Sequence, residues 1–304
     1  MITVIGSLNM DLVTYVDSMP RIGETVMGRE FKQIPGGKGA NQADAIAKLG
    51  ASVKMLGCIG ADGVGDILLD CLKKDGVDVS QIMRFEDVST GVASITVDGA
   101  GNNYIVVAPG ANYQLLPGQI RAARKAIIDS KIIVTQLEIP LETMGYSLQL
   151  AKELGKTTIL NPAPASNLDA DLLSSVDLLT PNETELEILS GRPVRNETEI
   201  IEAAHEMIKR GIKELIVTTG QKGCIYINDE CHKSFSAHEV NAVDTTAAGD
   251  SFTGAIAVAL NEGKSIIEAI HFATAVAALT VTRKGAQSSL PYRNEVEDFI
   301  KMHC

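Results

Sequence analysis

Apolar runs of strand length recur along the chain at 2–6, 53–59, 132–137, 157–160, 176–179 and 215–218, separated by amphipathic, helix-like segments. Apolar strands alternating with helices predict a parallel sheet covered on both faces, since such strands are buried on both sides. The segment 200–208 shows the helical pattern: Ile200, Ile201, Ala203, Ala204, Met207 and Ile208 recur near a 3.6-residue period, and Gly211 stops the helix just past Arg210. Two stretches break the alternation. Residues 12–35 (LVTYVDSMPRIGETVMGREFKQIP) and 91–108, where ASITVDG and YIVVA flank the turn-forming Gly99-Ala100-Gly101-Asn102-Asn103, read as β-structure. The expected organisation is an α/β domain over 1–11, 36–90 and 109–304, with 12–35 and 91–108 forming a small β-sheet lid over a site. The alternative is an edge extension of the main sheet. There is no internal repeat, low-complexity tract or Pro/Gly/Ser linker.

Composition narrows the function classes. With 304 residues, 45% of them hydrophobic, the chain can bury a sizeable core as one large or two unequal domains. Its net charge of -11, with no Lys/Arg block, disfavours a nucleic-acid or membrane partner. A small anion such as ATP stays compatible, because backbone amides at a helix N-terminus and a few local cations create a positive pocket on an acidic protein. Five cysteines (Cys58, Cys71, Cys224, Cys231 and Cys304), without a C-x-x-C pair or a histidine at metal-ligand spacing, read as thiols in a reducing compartment. The opening MITVIGSLNM lacks a basic stretch and an extended apolar core, so a soluble, cytoplasmic protein is expected.

Generic nucleotide motifs fail. Gly263-Lys264-Ser265 resembles the end of a P-loop, but Val258 replaces its first glycine and no strand precedes it; Gly37-Lys38-Gly39 begins a dinucleotide fingerprint, but Gln42 replaces the last glycine. Three other clusters carry chemistry. In Gly36-Gly37-Lys38-Gly39-Ala40-Asn41-Gln42 the glycines let backbone approach a ligand, while Lys38 and Asn41 bring a charge and an amide; a plain strand-to-helix turn is the alternative. In Asp244-Thr245-Thr246-Ala247-Ala248-Gly249-Asp250, small residues at a helix start leave amides open to a phosphoryl group, and Asp250 is either a proton acceptor or a helix cap. In Thr180-Pro181-Asn182-Glu183-Thr184-Glu185, Asn182 and Glu185 either hold waters of a nucleotide-bound Mg²⁺ or cap a helix reciprocally. Asn9, Asp11 and Glu138 follow strands, where they hydrogen-bond a sugar or sit as solvated loop residues; the five histidines show no pairing.

These residues together resemble the ribokinase branch of the PfkB family of sugar and nucleoside kinases. The likeness runs from Val4 to about Phe299. It rests on GGKGANQADAIAKLG, DTTAAGDSFTGAIAVAL, the element NETE and the tail VTRKGAQSSLP. It implies a ribokinase-like fold with a β-lid, commonly a homodimer through paired lids, and transfer of the γ-phosphate of ATP to the 5-hydroxyl of D-ribose. By the same resemblance, Asp250 is the base and the amides of Ala247, Ala248 and Gly249 form the anion hole. Asn9, Asp11, Gly37, Lys38, Asn41, Glu138 and Asp250 contact ribose. Thr218, Thr219, Gly220 and Gly223, with Asn182, Glu185 and Gly249, line the ATP and Mg²⁺ side, and Thr274 falls at the adenine. A monovalent cation, normally K⁺, is held by Asp244 with largely backbone oxygens of Thr246, Thr280, Arg283, Gly285 and Ser289. Ala247 stands where many members have glycine, which is tolerable if that residue keeps an ordinary backbone angle. Absence of Trp and only 4% aromatic residues weaken a nucleoside acceptor. A non-catalytic sugar-binding protein on the same fold remains the reading from another class.

Overall fold

The computed structural model describes residues 1–303. Strands β1 (Ile2–Ile5), β2 (Asn9–Tyr15), β3 (Glu30–Gly36), β4 (Val53–Gly60), β5 (Asp78–Phe85), β6 (Gly91–Val97) and β7 (Asn103–Ala108) occupy the first part of the chain. Strands β8 (Ile132–Thr135), β9 (Thr157–Leu160), β10 (Leu178–Leu179), β11 (Glu214–Thr218), β12 (Cys224–Ile227) and β13 (His232–Phe235) follow. Nine of them form one sheet in the order β13-β12-β11-β10-β9-β8-β1-β4-β5, parallel except for the antiparallel β12 and β13 at one end. The expected α/β class is what the structure shows.

Period-two alternation along the central strands feeds two cores. Ile132 and Val134 face one helical layer, with helices Lys38–Lys48, Ala248–Asn261 and Ile266–Val281, whereas Ile133 faces the other, with helices Leu141–Glu153 and Glu197–Lys209. In the last of these, Asn196 caps the start through Glu199 N, Ile200, Ala203, Ala204 and Met207 are buried, and Gly211 turns the chain out at φ 109°.

β2, β3, β6 and β7 make a separate four-stranded sheet in the order β3-β2-β6-β7, in which β2 and β6 run parallel and the other pairs antiparallel. Its strands reach back to Asn9 and on to Gly36, past the turn-rich connection between Val16 and Arg29. β5, β12 and β13 have no counterpart among the apolar runs, because each is an edge element with exposed positions or a short hairpin arm. The tripeptide Gly263-Lys264-Ser265 lies between two helices, where Ser265 and Glu268 form a capping box. It cradles no phosphate loop.

The order of the main sheet reverses between β1 and β8: the chain builds outward through β4 and β5 on one side and through β9 to β11 on the other. The carboxyl ends of two such neighbours diverge, which leaves a crevice for ligand.

Candidate active site

At that crevice the chain after β1 and the chain after β8 are pressed together. A Cβ on Gly6 would lie 2.0 Å from Gln136 Oε1, one on Gly39 2.6 Å from Ser7 N, and one on Gly37, at φ 90°, 2.6 Å from Asn9 N. The GGKGAN segment is therefore glycine-rich because its turn lies directly on the backbone of residues 6–9. The helix it opens, Lys38–Lys48, points its N-terminus at the crevice. Glu138 accepts from Lys38 N at 3.0 Å, from Asn9 Nδ2 at 3.4 Å and from the Ser7 hydroxyl. Asn9 is held from behind by Asn112, buried and bonded to both backbone groups of Leu8 and to Asn9 Oδ1 at 2.7 Å.

The DTTAAGD segment arrives opposite. Asp250 stands at the third position of helix Ala248–Asn261 yet caps nothing: its Oδ2 accepts from Asn41 Nδ2 at 2.9 Å and its Oδ1 from Gln42 Nε2 at 3.1 Å. Ala248 N makes a long bond to Thr245 O at 3.3 Å, whereas the N–H groups of Gly249 and Asp250 have no partner among the described residues. Two donors at a helix N-terminus thus stand open beside a buried carboxylate.

A cleft of about 190 Å³ opens beside Asp250, takes Lys38 from the GGKGAN turn but not Asn9, Asp11, Gly37, Asn41 or Glu138, and is lined besides by Asn161, Ala163, Thr180, Asn182, Glu185, Thr218, Thr245, Ala247, Ala248, Gly249 and Thr253. Asn182 and Glu185 form a full capping box (Glu185 N to Asn182 Oδ1, 2.8 Å; Asn182 N to Glu185 Oε2, 2.9 Å), so the cap reading holds and one carboxylate oxygen is still left to the cleft. Burial works against the charge of Lys38, but Asp250, Glu138, Glu185 and Asp11 surround it and leave its ammonium above the ordinary lysine range. Asp11 is pushed up to about 6 by burial and by Glu138, with Lys38 opposing. Glu185 is raised by burial, with the Asn182 amide opposing. A cation ringed by four carboxylates, two of them reluctant to ionise, is a site short of a positively charged or hydroxyl-rich ligand.

The pfkB family carbohydrate kinase profile matches residues 1–293. The chain belongs to the pfkB family of carbohydrate kinases. It is 42% identical over 300 residues to the ribokinase of Haemophilus influenzae (99% of this chain, 98% of the relative) and 39% identical over 303 residues to the deoxyribokinase of Salmonella typhi (99% of each). Among solved structures it superposes on an Arabidopsis thaliana ribokinase complexed with ribose and ATP at TM-score 0.95, with 34% identity over 99% of this chain and 98% of the other. It also matches a Thermotoga maritima ribokinase at TM-score 0.91, with 42% identity over 99% of both chains.

Within this pfkB kinase the remaining expected residues fall in three places. Thr218 adjoins Asn182 through a parallel bridge, its amide bonded to Pro181 O at 2.9 Å. Gly223, at φ 108°, must be glycine because a Cβ would meet Phe235 O at 1.9 Å; Gly220 is also left-handed, at φ 57°. Thr219 lines a neighbouring pocket with Lys222, Cys224 and Phe235 rather than the main cleft. Thr274 lies buried mid-helix, its hydroxyl donated to His271 O at 2.9 Å, outside the lining of both.

Asp244 ties the loop before one helix to the loop after the next. Its Oδ1 accepts from Thr246 N and Oγ1 at 2.9 and 2.7 Å and its Oδ2 from Gly285 N at 2.9 Å. Partial burial raises this carboxyl, but those bonds outweigh it and hold it below the usual carboxylate range. The hydroxyls of Thr280 and Ser289 are donated to Val276 O and Ala286 O, and the Arg283 guanidinium pairs with Glu295, so Arg283 has only its backbone oxygen to offer. Among the described residues no group of three or more His, Cys, Asp or Glu can hold a metal.

The backbone of Ala247 overturns one expectation. It sits at φ 60°, ψ 9°, the one non-glycine left-handed residue among those described, and not at an ordinary angle. An L-residue there carries about 1 kcal/mol of strain, at the turn that aims the open amides. Free Cys58 and Cys224 are pushed up to about 12 by burial and are inert; Cys304 lies outside the described residues. Sequence reading missed Gln42, Gln136, Asn161, Asn112 and Thr253. The available signal was a polar residue ending an apolar run, as Gln136 does in IIVTQL.

Proposed function

We propose that this chain transfers the γ-phosphate of ATP to the 5-hydroxyl of D-ribose, giving D-ribose 5-phosphate and ADP. One observation carries the reading: Asn41 of the GGKGAN turn touches Asp250 of the DTTAAGD helix at 2.9 Å, beside unbonded amides in one cleft. Asp250 takes the hydroxyl proton as the sugar oxygen attacks in line, and the open amides of Gly249 and Asp250 with Lys38 receive the charge on the transferring group. Ribose contacts fall to Asn9, Asp11, Gly37, Lys38, Asn41 and Glu138. Asn41 Oδ1 is a buried acceptor without a partner, which a sugar hydroxyl would satisfy. ATP lies along Thr218, Thr219, Gly220 and Gly223, with Thr274 at the base. Asn182 and the free oxygen of Glu185 suit the water shell of a nucleotide-bound Mg²⁺, which would neutralise phosphate charge. One depressed carboxylate among backbone oxygens at Asp244, Thr246, Thr280, Arg283, Gly285 and Ser289 suits K⁺ better than a transition metal.

The small sheet acts as the lid and as a dimer surface. Its edge strand β7 exposes Tyr104, Ile105, Val106 and Val107, an apolar row that a second copy would cover. Cytoplasmic operation fits the free thiols, and no helix among the described residues is long and apolar enough to cross a membrane.

The full-length likeness to a deoxyribokinase favours 2-deoxyribose as the second acceptor to test. ADP release should be followed with ATP and Mg²⁺ over ribose, 2-deoxyribose, fructose and adenosine, each with and without K⁺. Ribose should give the highest kcat/KM, and K⁺ should raise it; turnover of adenosine alone would sink the reading. Asp250→Asn should keep ribose binding and lose most turnover.

A further inference from the structure

We propose that Gln42 is a positioning residue for the reaction: it holds Asp250 away from the amides of its own helix, so that base and anion hole stay separate. The inference rests on the kinase reading above and adds to it a residue that touches no substrate.

The problem it solves is local. An aspartate at the third position of a helix lies within reach of the open first-turn N–H groups, and its charge is attracted by them. Were Asp250 to swing that way, it would fill the anion hole and spend the lone pair needed for the hydroxyl proton. It does not swing, since helix Ala248–Asn261 has no side-chain cap.

Gln42 pulls it the other way. Its side chain is fully buried and both its N–H groups are used: Nε2 donates to Asp250 Oδ1 and to Asn161 Oδ1, each at 3.1 Å, and Oε1 accepts from Gln136 Nε2 at 2.6 Å. Asn161 is fixed in turn through Nδ2 to Thr180 O at 3.0 Å. Gln136 is fully buried, and its own Oε1, close to Gly6, has no hydrogen-bond partner among the described residues. These bonds leave the Gln42 amide one orientation, donor toward Asp250. Asn41 supplies the second donor, but its Oδ1 is buried without a partner. Both donors reach Asp250 with no substrate present, but only Gln42 is tied on its far side, through Gln136 and Asn161.

The charged groups that act on Asp250 are Lys38 on helix Lys38–Lys48, Asp11 on β2 and Glu185 on helix Glu183–Ser190, with Glu138 after β8 beyond them next to Lys38 and Asp11. A neutral donor holds the carboxylate in place without adding a charge to these groups.

The test compares Gln42→Met, Gln136→Met and Asp250→Asn with the parent, at saturating ribose and ATP. Loss of one bond to a charged acceptor predicts a fall of roughly 10–100-fold in kcat for Gln42→Met, with both KM values within about threefold. Gln136→Met should show the same changes to a smaller degree, and it reads the arrangement even if Gln42→Met does not fold. In an Asp250→Asn background, either methionine change should leave the residual rate unaltered, because there is no carboxylate to aim. A folded Gln42→Met or Gln136→Met enzyme with parental kcat overturns the inference, as does an equal rate loss in the Asp250→Asn background. Asp250→Asn tests the base separately: its full activity would remove Asp250 from its role and this inference with it, whereas its inactivity beside a fully active Gln42→Met enzyme would remove only this inference; a parent that releases no ADP with ribose would remove the kinase reading itself.

Discussion

Asp11 makes the sugar side of the site sensitive to pH in a range where enzymes are easily assayed. Its carboxyl is pushed up to about 6 by burial and by Glu138, with Lys38 opposing. As an ion it accepts from two hydroxyls; once protonated it loses that capacity on one oxygen. At pH 5 about one molecule in ten would carry the ionised form, against nine in ten at pH 7, so kcat/KM for ribose should fall roughly tenfold across that interval. Asp11→Asn should lower kcat/KM by roughly 10–100-fold at pH 7, the worth of a charge-assisted hydrogen bond, and its acid limb should no longer be centred near 6. The assay is coupled ADP release at saturating ATP, with ribose varied at pH 5, 6, 7 and 8. A kcat/KM flat from pH 5 to 8, or an Asp11→Asn enzyme with the parental limb, would refute both the titration and the sugar contact.

Three further outcomes are expected. Asp44, fully buried beside Lys48 at 3.0 Å, is raised to about 7 by burial, with Lys48 lowering and Asp75 raising it. Its proton is held more tightly in the folded state than at the unfolded value of 3.8, so stability falls as pH rises from about 4 towards 7. Asp44→Asn should therefore gain about 2.5 kcal/mol relative to the parent between pH 5 and pH 8 in denaturant titrations, and a pH-independent difference would contradict this. Val106→Lys, at a position 69% exposed on strand β7, should convert a dimer to a monomer by light scattering; a parent that is already monomeric at micromolar concentration ends the dimer proposal. At Ala247 the left-handed backbone reverses the usual ranking: Ala247→Gly should change stability by less than about 0.5 kcal/mol, while Ala247→Val should lose about 2 kcal/mol or more in the same titrations.

What the sequence determined by itself is local in origin. The alternation of apolar strands and amphipathic helices follows from period and composition, and the two glycine- and alanine-rich segments announce themselves because close backbone approach admits few residue types. Asn182 and Glu185 were legible as a pair for the same reason, since a capping box is complete within four residues. The partners of Asp250 were not. Asn41 and Gln42 lie more than 200 positions away along the chain, and Gln136 reaches the base only through Gln42, so no local pattern connects them. The left-handed angle of Ala247, the burial that lifts Asp11 and the meeting of four carboxylates around Lys38 likewise exist only once β1 and β8 are neighbours. Tertiary structure decided these because hydrogen bonding and desolvation depend on distances through space, which the order of residues does not contain.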